Sequence, residues 1–259
     1  MMTAIPTRVF ALLIALIWAT NLFAAYEELG VEENNEFGGR SLIFRKLTDG
    51  VQWGKNSYDS AGKLMHEERK YSDEWANAHG TRRLVNEYLF DIKVKEERTF
   101  SQSYAIRRQV IQRNTFYEQA TGTKIREENK FAQAYLGNNV IYYDLGVKKW
   151  MEWFYPANQE GYKKVVTHYG AQGKIRKIEN YYTDKSVKFD GCLKHVIYFF
   201  GLKKSKEEWH FTEKYTQENN GAVRKMKVYF DNPNHPKAPQ IYYFDQNNEL
   251  VVPNQPFDP

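Results

Sequence analysis

Tyr169-Gly-Ala-Gln-Gly173-Lys-Ile175-Arg-Lys-Ile-Glu179-Asn-Tyr181-Tyr182 and Tyr215-Thr-Gln-Glu-Asn-Asn-Gly221-Ala-Val223-Arg-Lys-Met-Lys-Val-Tyr229-Phe230 share one layout. An aromatic residue leads and a short polar turn ends in Gly. A small apolar residue follows, and a charged run returns to aromatics. Gly supplies the positive φ that a tight hairpin turn requires, so each copy is predicted to be strand, turn, strand. The pattern argues for architecture and carries no chemistry of its own.

Looser copies lie on either side. Tyr58-Asp59-Ser-Ala-Gly62-Lys-Leu64 and Tyr117-Glu-Gln-Ala-Thr-Gly122-Thr-Lys-Ile125 repeat the aromatic, polar turn, Gly and apolar order. Leu42, Ile43, Phe44 and Leu47 mark a short strand ended by Asp49-Gly50. Between Leu84 and Val94, Leu84, Tyr88, Phe90, Ile92 and Val94 fall opposite Glu87, Asp91 and Lys93, the alternation of one half-buried strand. Tyr104, Ile106 and Val110 continue in the same style. Residues 63–79 are ambiguous, because Leu64, Glu68, Tyr71 and Trp75 share a helical face. In Trp150–Tyr155 and Val196–Phe200 aromatics fall on both faces of an extended chain. Such strands must be covered on both sides, by a second layer or by neighbouring aromatic ladders.

The expected fold is therefore mainly β: antiparallel hairpin repeats in an extended sheet, sandwich or solenoid-like assembly, with at most a short helix near 63–79. Aromatic residues make up 16% of the chain, led by Tyr and Phe, which suits half-buried sheet positions. Residues 41–245 form the repeat domain, residues 25–40 a loose, acidic lead, and residues 246–259 a Pro-rich tail.

Residues 1–24 have the three-part layout of a secretory signal peptide. Arg8 is the one charge, Val9–Trp18 is the apolar core, and Ala24-Ala25 precede the acids that begin at Glu27. The core is about ten residues, short of the roughly twenty that cross a bilayer. No later stretch is apolar for long enough, so no membrane span is expected once the signal is removed. Export to a bacterial periplasm or beyond the cell follows as the expectation.

The aromatic-Asp-x-x-Gly-x-Leu turn at Tyr58–Leu64, with its looser copies, resembles the units of MORN-like and tyrosine–aspartate (YD) repeat proteins. That resemblance implies a β-hairpin per unit, Gly at the turn, aromatics stacking between units, and successive hairpins building an extended sheet or solenoid. It also suggests an immunity-like or antitoxin-like partner as one possible role.

Charge and motif narrow the function classes. Thirty-seven Lys and Arg stand against 32 Asp and Glu, a net +5, and the signs interleave, as in Lys203-Lys-Ser-Lys-Glu-Glu208. Nucleic-acid binding, which needs a basic stripe, is not expected. The single cysteine, Cys192, rules out an internal disulfide and any multi-cysteine metal site. None of the six histidines is two to four residues from another, so no short zinc spacing exists. Cys192 and His195, three apart in a strand, should point to opposite faces and so not form a nucleophile–base pair. Glu67, Glu127, Glu152, Glu179, Glu207 and Glu208 supply carboxylates, but many sit beside Lys or Arg, where cross-strand ion pairing accounts for them.

No catalytic residue, metal ligand or cofactor site is assigned. Trp150, Trp153, Tyr155 and Trp209 are the candidate binding residues, able to stack on sugar rings or on a partner's apolar surface. The reading is an exported, non-catalytic binding or structural protein with an unidentified protein or glycan partner. The alternative is an extracellular polysaccharide hydrolase using paired carboxylates.

Overall fold

A computed structural model describes residues 26–133, 136–156, 161–229 and 238–254. The expected signal peptide lies outside these residues. The protein is mainly β, and every strand pairing described is antiparallel and joins neighbours in the chain. It divides into two compact units, Met1–Thr123 and Lys124–Pro259.

In the first unit, β1 (Glu27–Glu32), β2 (Gly38–Lys46), β3 (Val51–Asp59), β4 (Leu64–Tyr71), β5 (Thr81–Leu89), β6 (Ile92–Phe100) and β7 (Val110–Tyr117) run as a meander. Helix α1 (Asp73–His79) joins β4 to β5, and α2 (Gln102–Arg108) joins β6 to β7. In the second unit the strands are β8 (Lys124–Phe131), β9 (Asn138–Asp144), β10 (Val147–Phe154), β11 (Tyr162–Tyr169), β12 (Ile175–Tyr182), β13 (Cys192–Phe200), β14 (Lys203–Phe211), β15 (Arg224–Val228) and β16 (Gln240–Phe244). Helix α3 (Asp184–Asp190) joins β12 to β13, and α4 (Glu213–Glu218) joins β14 to β15.

Tight hairpins occupy one end of each sheet and short helices the other. Each helix follows an aromatic residue and a hydroxyl cap. The side chains of Ser72, Ser101, Thr183 and Thr212 accept the backbone N–H of Trp75, Tyr104, Ser186 and Tyr215. A helix of one or two turns is marginal alone; the cap satisfies an orphan donor, and contact with the preceding repeat supplies the rest. The backbone N–H of Ser72 donates to the carbonyl of Gly50 (2.8 Å), and that of Ser101 to Gly80 (2.7 Å). In the second unit Thr183 does the same to Gly161 (2.9 Å) and Thr212 to Gly191 (2.8 Å). Each helix cap thus fastens to a glycine of the preceding repeat, and at Gly50, Gly80 and Gly191 that glycine is itself a helix C-cap.

Several expectations change at this level. The lead at 25–40, expected to be loose, contributes β1, which pairs with β2. The single strand expected over Leu84–Val94 is a hairpin: Phe90 (φ 52) and Asp91 (φ 63) form a two-residue turn between β5 and β6. No Gly marks it, so alternation alone carried the pattern across the bend. Tyr104 and Ile106 lie in α2, because Ser101 caps a helix too short to show its period. Tyr215 likewise begins inside α4, so the second quoted stretch is helix, turn, strand. Residues 63–79 divide into strand β4 and helix α1, and only Trp75 of the proposed helical face is helical. The tail is tied back: Leu250 bridges to Phe244, and Asn254 Nδ2 donates to the Glu218 carbonyl (2.9 Å).

Within each unit, strand packing among the described residues runs between sequence neighbours, so each is one sheet and not a sandwich. Both faces are therefore covered by side-chain rows. The buried apolar groups include Phe44, Val51 and Ala76 in the first unit and, in the second, Cys192, Trp209 and Phe211, which pack as one small cluster. Cross-strand pairs and aliphatic lysine stems laid over rings supply the remaining cover.

Candidate functional site

Register brings the functional side chains of the second unit into rows. Tyr142, Trp150, His168, Lys177, Tyr198 and Lys206 are successive cross-strand partners from β9 to β14. Two residues along the strands, on the same face, lie Glu152, Val166, Glu179, Val196 and Glu208. The glutamates are sunk between rows of cations and rings. Lys164 reaches Glu152 (3.2 Å), Lys206 reaches Glu208 (2.9 Å), and Lys177 and Lys194 both reach Glu179.

Glu179 shows the electrostatics of this face. Burial pushes its carboxyl up, but hydrogen bonds from Lys177, Tyr181 and Lys194 outweigh burial and hold it at about 2. The Tyr181 phenol, donating at 2.7 Å, is pushed up to about 12 by burial and by that carboxylate. Tyr198, bonded to Glu208 at 3.1 Å, is pushed to about 12 by burial and then by the glutamate charge. Near neutral pH Glu179 is therefore ionised and these two tyrosines are protonated. Burial, followed by the nearby Lys177 charge, holds His168 below its ordinary value despite Glu179 at 3.1 Å. Its imidazole is neutral at pH 7.

At the hairpin end of this face an open cleft of about 780 Å³ is lined by Asp144, Lys149, Trp150, His168, Tyr169, Arg176, Lys177, Tyr198, Phe199 and Ser205. Tyr142 stacks on Trp150 (4.5 Å between centroids, 17°), which fixes the indole plane. Lys148 lies over Tyr169 (4.2 Å) and Lys206 over Tyr198 (4.2 Å). Rings and cations alternate along the walls.

Of the four aromatic residues singled out in the sequence, Trp150 lines this cleft and is 36% exposed. Trp153, three residues on, faces the opposite side of β10. It stacks on Phe131 (4.7 Å) and Tyr155 (6.1 Å), and its indole N–H donates to the Leu136 carbonyl (2.6 Å). Trp209 is 4% exposed, sandwiched against the His195 ring (4.5 Å, 6°), so it offers no face to a ligand. The structure pairs Trp153 with Tyr155 and keeps Trp150 and Trp209 apart from them. His168, Tyr169, Lys177 and Tyr198 join Trp150 through register, a signal that composition and spacing do not contain.

Cys192 and His195 depart from simple alternation. A bulge between Cys192 and Lys194 resets the pleat, so both side chains lie toward Trp209. They are not on opposite faces as three-residue spacing implies. The buried thiol donates to the Lys194 carbonyl (3.5 Å), while His195 Nε2 faces Glu207 (2.7 Å). Burial holds His195 below its usual value, so at neutral pH that contact is a hydrogen bond from a neutral ring.

The other glutamates are also engaged. Glu67 accepts from Asn86 (2.7 Å), Tyr88 (3.1 Å) and Arg69, and Glu127 accepts from Asn129 (3.2 Å) and Lys124 (3.3 Å). Glu207 accepts from Lys204 (3.2 Å) and Tyr229 as well as facing His195. Among the described residues no group of three or more His, Cys, Asp or Glu is placed to hold a metal ion. No helix among them is long and apolar enough to cross a membrane. No protein-family description matches the chain, and no curated protein matches it as a relative.

Proposed function

We propose that this chain is an exported, non-catalytic binding protein of the bacterial periplasm or cell surface, and that the cleft around Trp150 seats an anionic, ring-bearing polymer such as an acidic glycan. One observation carries the reading: Trp150, Tyr169 and Tyr198 line the same open cleft as Lys149, Arg176 and Lys177. Ring faces stack on the apolar faces of sugars, and Lys or Arg pairs with carboxylate or sulfate substituents. An open trough fits a polymer passing along it better than a small molecule, which needs enclosure. Export rests on the layout of residues 1–24.

A glycoside hydrolase needs one carboxyl that keeps its proton near neutral pH. The environment of Glu179 acts in the opposite direction, lowering its value to about 2. This favours the binding reading over a hydrolytic one that uses this glutamate.

The test is an array of neutral and acidic glycans probed with the purified protein and with Trp150→Ala. Saturable capture of acidic glycans, weakened at least about tenfold by Trp150→Ala, is the expected result. Uniform failure to bind any acidic glycan refutes the assignment.

A further inference from the structure

The hairpin ends of the second unit carry a pattern that folding does not require. The turns at 144–149, 169–176 and 199–204 close β9–β10, β11–β12 and β13–β14. Pairing of β10 with β11 and of β12 with β13 sets them side by side along one edge. At the tips, Leu145 is 85% exposed, Phe200 85% and Leu202 91%. Leu145 adopts φ 48, a conformation that Asn and Gly take with less strain. Phe90, at φ 52 and 66% exposed in the β5–β6 turn, shares this conformation, so it is the clustering of three apolar tips with cations that sets this edge apart.

The charge around these tips is mostly positive. Lys148, Lys149, Lys174, Arg176, Lys203 and Lys204 flank them, and Asp144 is the one acid in the three segments, paired to Lys149 at 3.1 Å. The corresponding turns of the first unit differ. Taken one residue or so into the following strand, as for the second unit, residues 59–65, 89–93 and 117–125 hold Asp59, Asp91 and Glu118 against Lys63, Lys93 and Lys124, with no cationic excess. Among the described turns, Phe90 is an exposed apolar tip of the first unit as well, but three apolar tips set among a clear excess of cations occur together in the second unit.

We propose that this edge docks on an anionic lipid surface. Leu145, Phe200 and Leu202 enter the boundary between headgroups and acyl chains, while the flanking Lys and Arg side chains meet lipid phosphates. Protruding apolar tips ringed by cations suit a bilayer interface, where apolar insertion and attraction to acidic headgroups add. A protein partner would instead be expected to meet a contiguous patch with a central pocket. The docking surface shares Lys149 and Arg176 with the cleft, but Leu145, Phe200, Leu202, Lys174, Lys203 and Lys204 lie outside the cleft lining and carry it independently of the cleft's ligand.

Co-sedimentation with vesicles tests the proposal. Purified protein is mixed with phosphatidylcholine vesicles, or with vesicles containing about one-third phosphatidylglycerol, at ~50 mM and ~0.5 M salt. Sedimentation with the acidic vesicles alone, weakening at high salt, is expected. The triple change Leu145→Ser, Phe200→Ser and Leu202→Ser, and separately Lys174→Glu with Lys203→Glu, should each lower vesicle affinity at least about tenfold. Unchanged thermal melts show that both variants remain folded. Trp150→Ala should sediment like the wild type, which separates this result from the fate of the glycan reading. Wild-type protein that stays in the supernatant with acidic vesicles overturns the proposal. So does a triple variant that sediments undiminished, or a loss of sedimentation with Trp150→Ala.

Discussion

Trp75 packs its indole directly on the α-carbon of Gly50: a β-carbon at position 50 would lie 2.2 Å from the ring. Gly50 also has φ +69 and offers its carbonyl to Ser72. Gly50→Ala therefore adds backbone strain to a steric overlap, together about 3 kcal/mol. Gly62→Ala, at φ +80 but in open space, bears the strain alone, about 1 kcal/mol. Urea unfolding of the two variants should separate them in that order, and equal midpoints would remove the packing argument.

Asn86 donates 2.7 Å to Glu67, and both residues are buried. Asn86→Ala leaves the carboxylate with Arg69 and Tyr88 but one donor short. A loss of about 2 kcal/mol is expected. A cycle with Glu67→Gln should return a coupling energy of about 1 kcal/mol, measured by chemical denaturation. Strict additivity would mean that the pair is incidental.

Glu179 predicts a pH dependence of definite sign. Its folded value of about 2 lies below the reference 4.5, so the stabilisation is complete above pH 4.5 and is lost as pH falls toward 2. Solvent screening at this sheet surface reduces the contribution to about 1–2 kcal/mol. Between pH 5 and pH 2 the wild type should lose that much more stability than Glu179→Gln. Parallel acid-unfolding curves for the two proteins would contradict the assignment.

The tryptophans should divide by role. Trp209, stacked on His195 and packed with Cys192 and Phe211, is expected to cost about 3–5 kcal/mol on truncation to Ala. Trp150→Ala, at the rim of the cleft, should leave the melting temperature within a few degrees of wild type while weakening glycan capture. Thermal melts read beside the array distinguish the two, and a large loss of stability from Trp150→Ala would assign it to the core.

Glycine made part of this fold legible. Gly62 and Gly173 stand at positive φ in turns whose pattern is plain in the chain. The turn at Phe90-Asp91 was hidden because two non-glycine residues adopt the left-handed conformation there. The helices were hidden for another reason. Six or seven residues cannot establish a 3.6-residue period, and the available signal was smaller: an aromatic followed by Ser or Thr, as at Tyr71-Ser72, Phe100-Ser101, Tyr182-Thr183 and Phe211-Thr212. Site residues were less accessible still. Trp150 and Trp209 look alike in sequence, and only their cross-strand neighbours make one a cleft wall and the other core. The bulge beside Cys192 reverses a face assignment that spacing alone gets wrong.

The bond from each cap residue to the glycine behind it has a consequence for how such a chain changes length. Ser72 and Ser101 stand 29 residues apart, as do Thr183 and Thr212. Duplicating or deleting a whole copy would recreate the same backbone donor and acceptor at the new joint, and the ring seat too where the glycine is Gly50, Gly80 or Gly191. An insertion of two or three residues has no such refuge except at the hairpin tips, and those are where lineages of this architecture would be free to diverge.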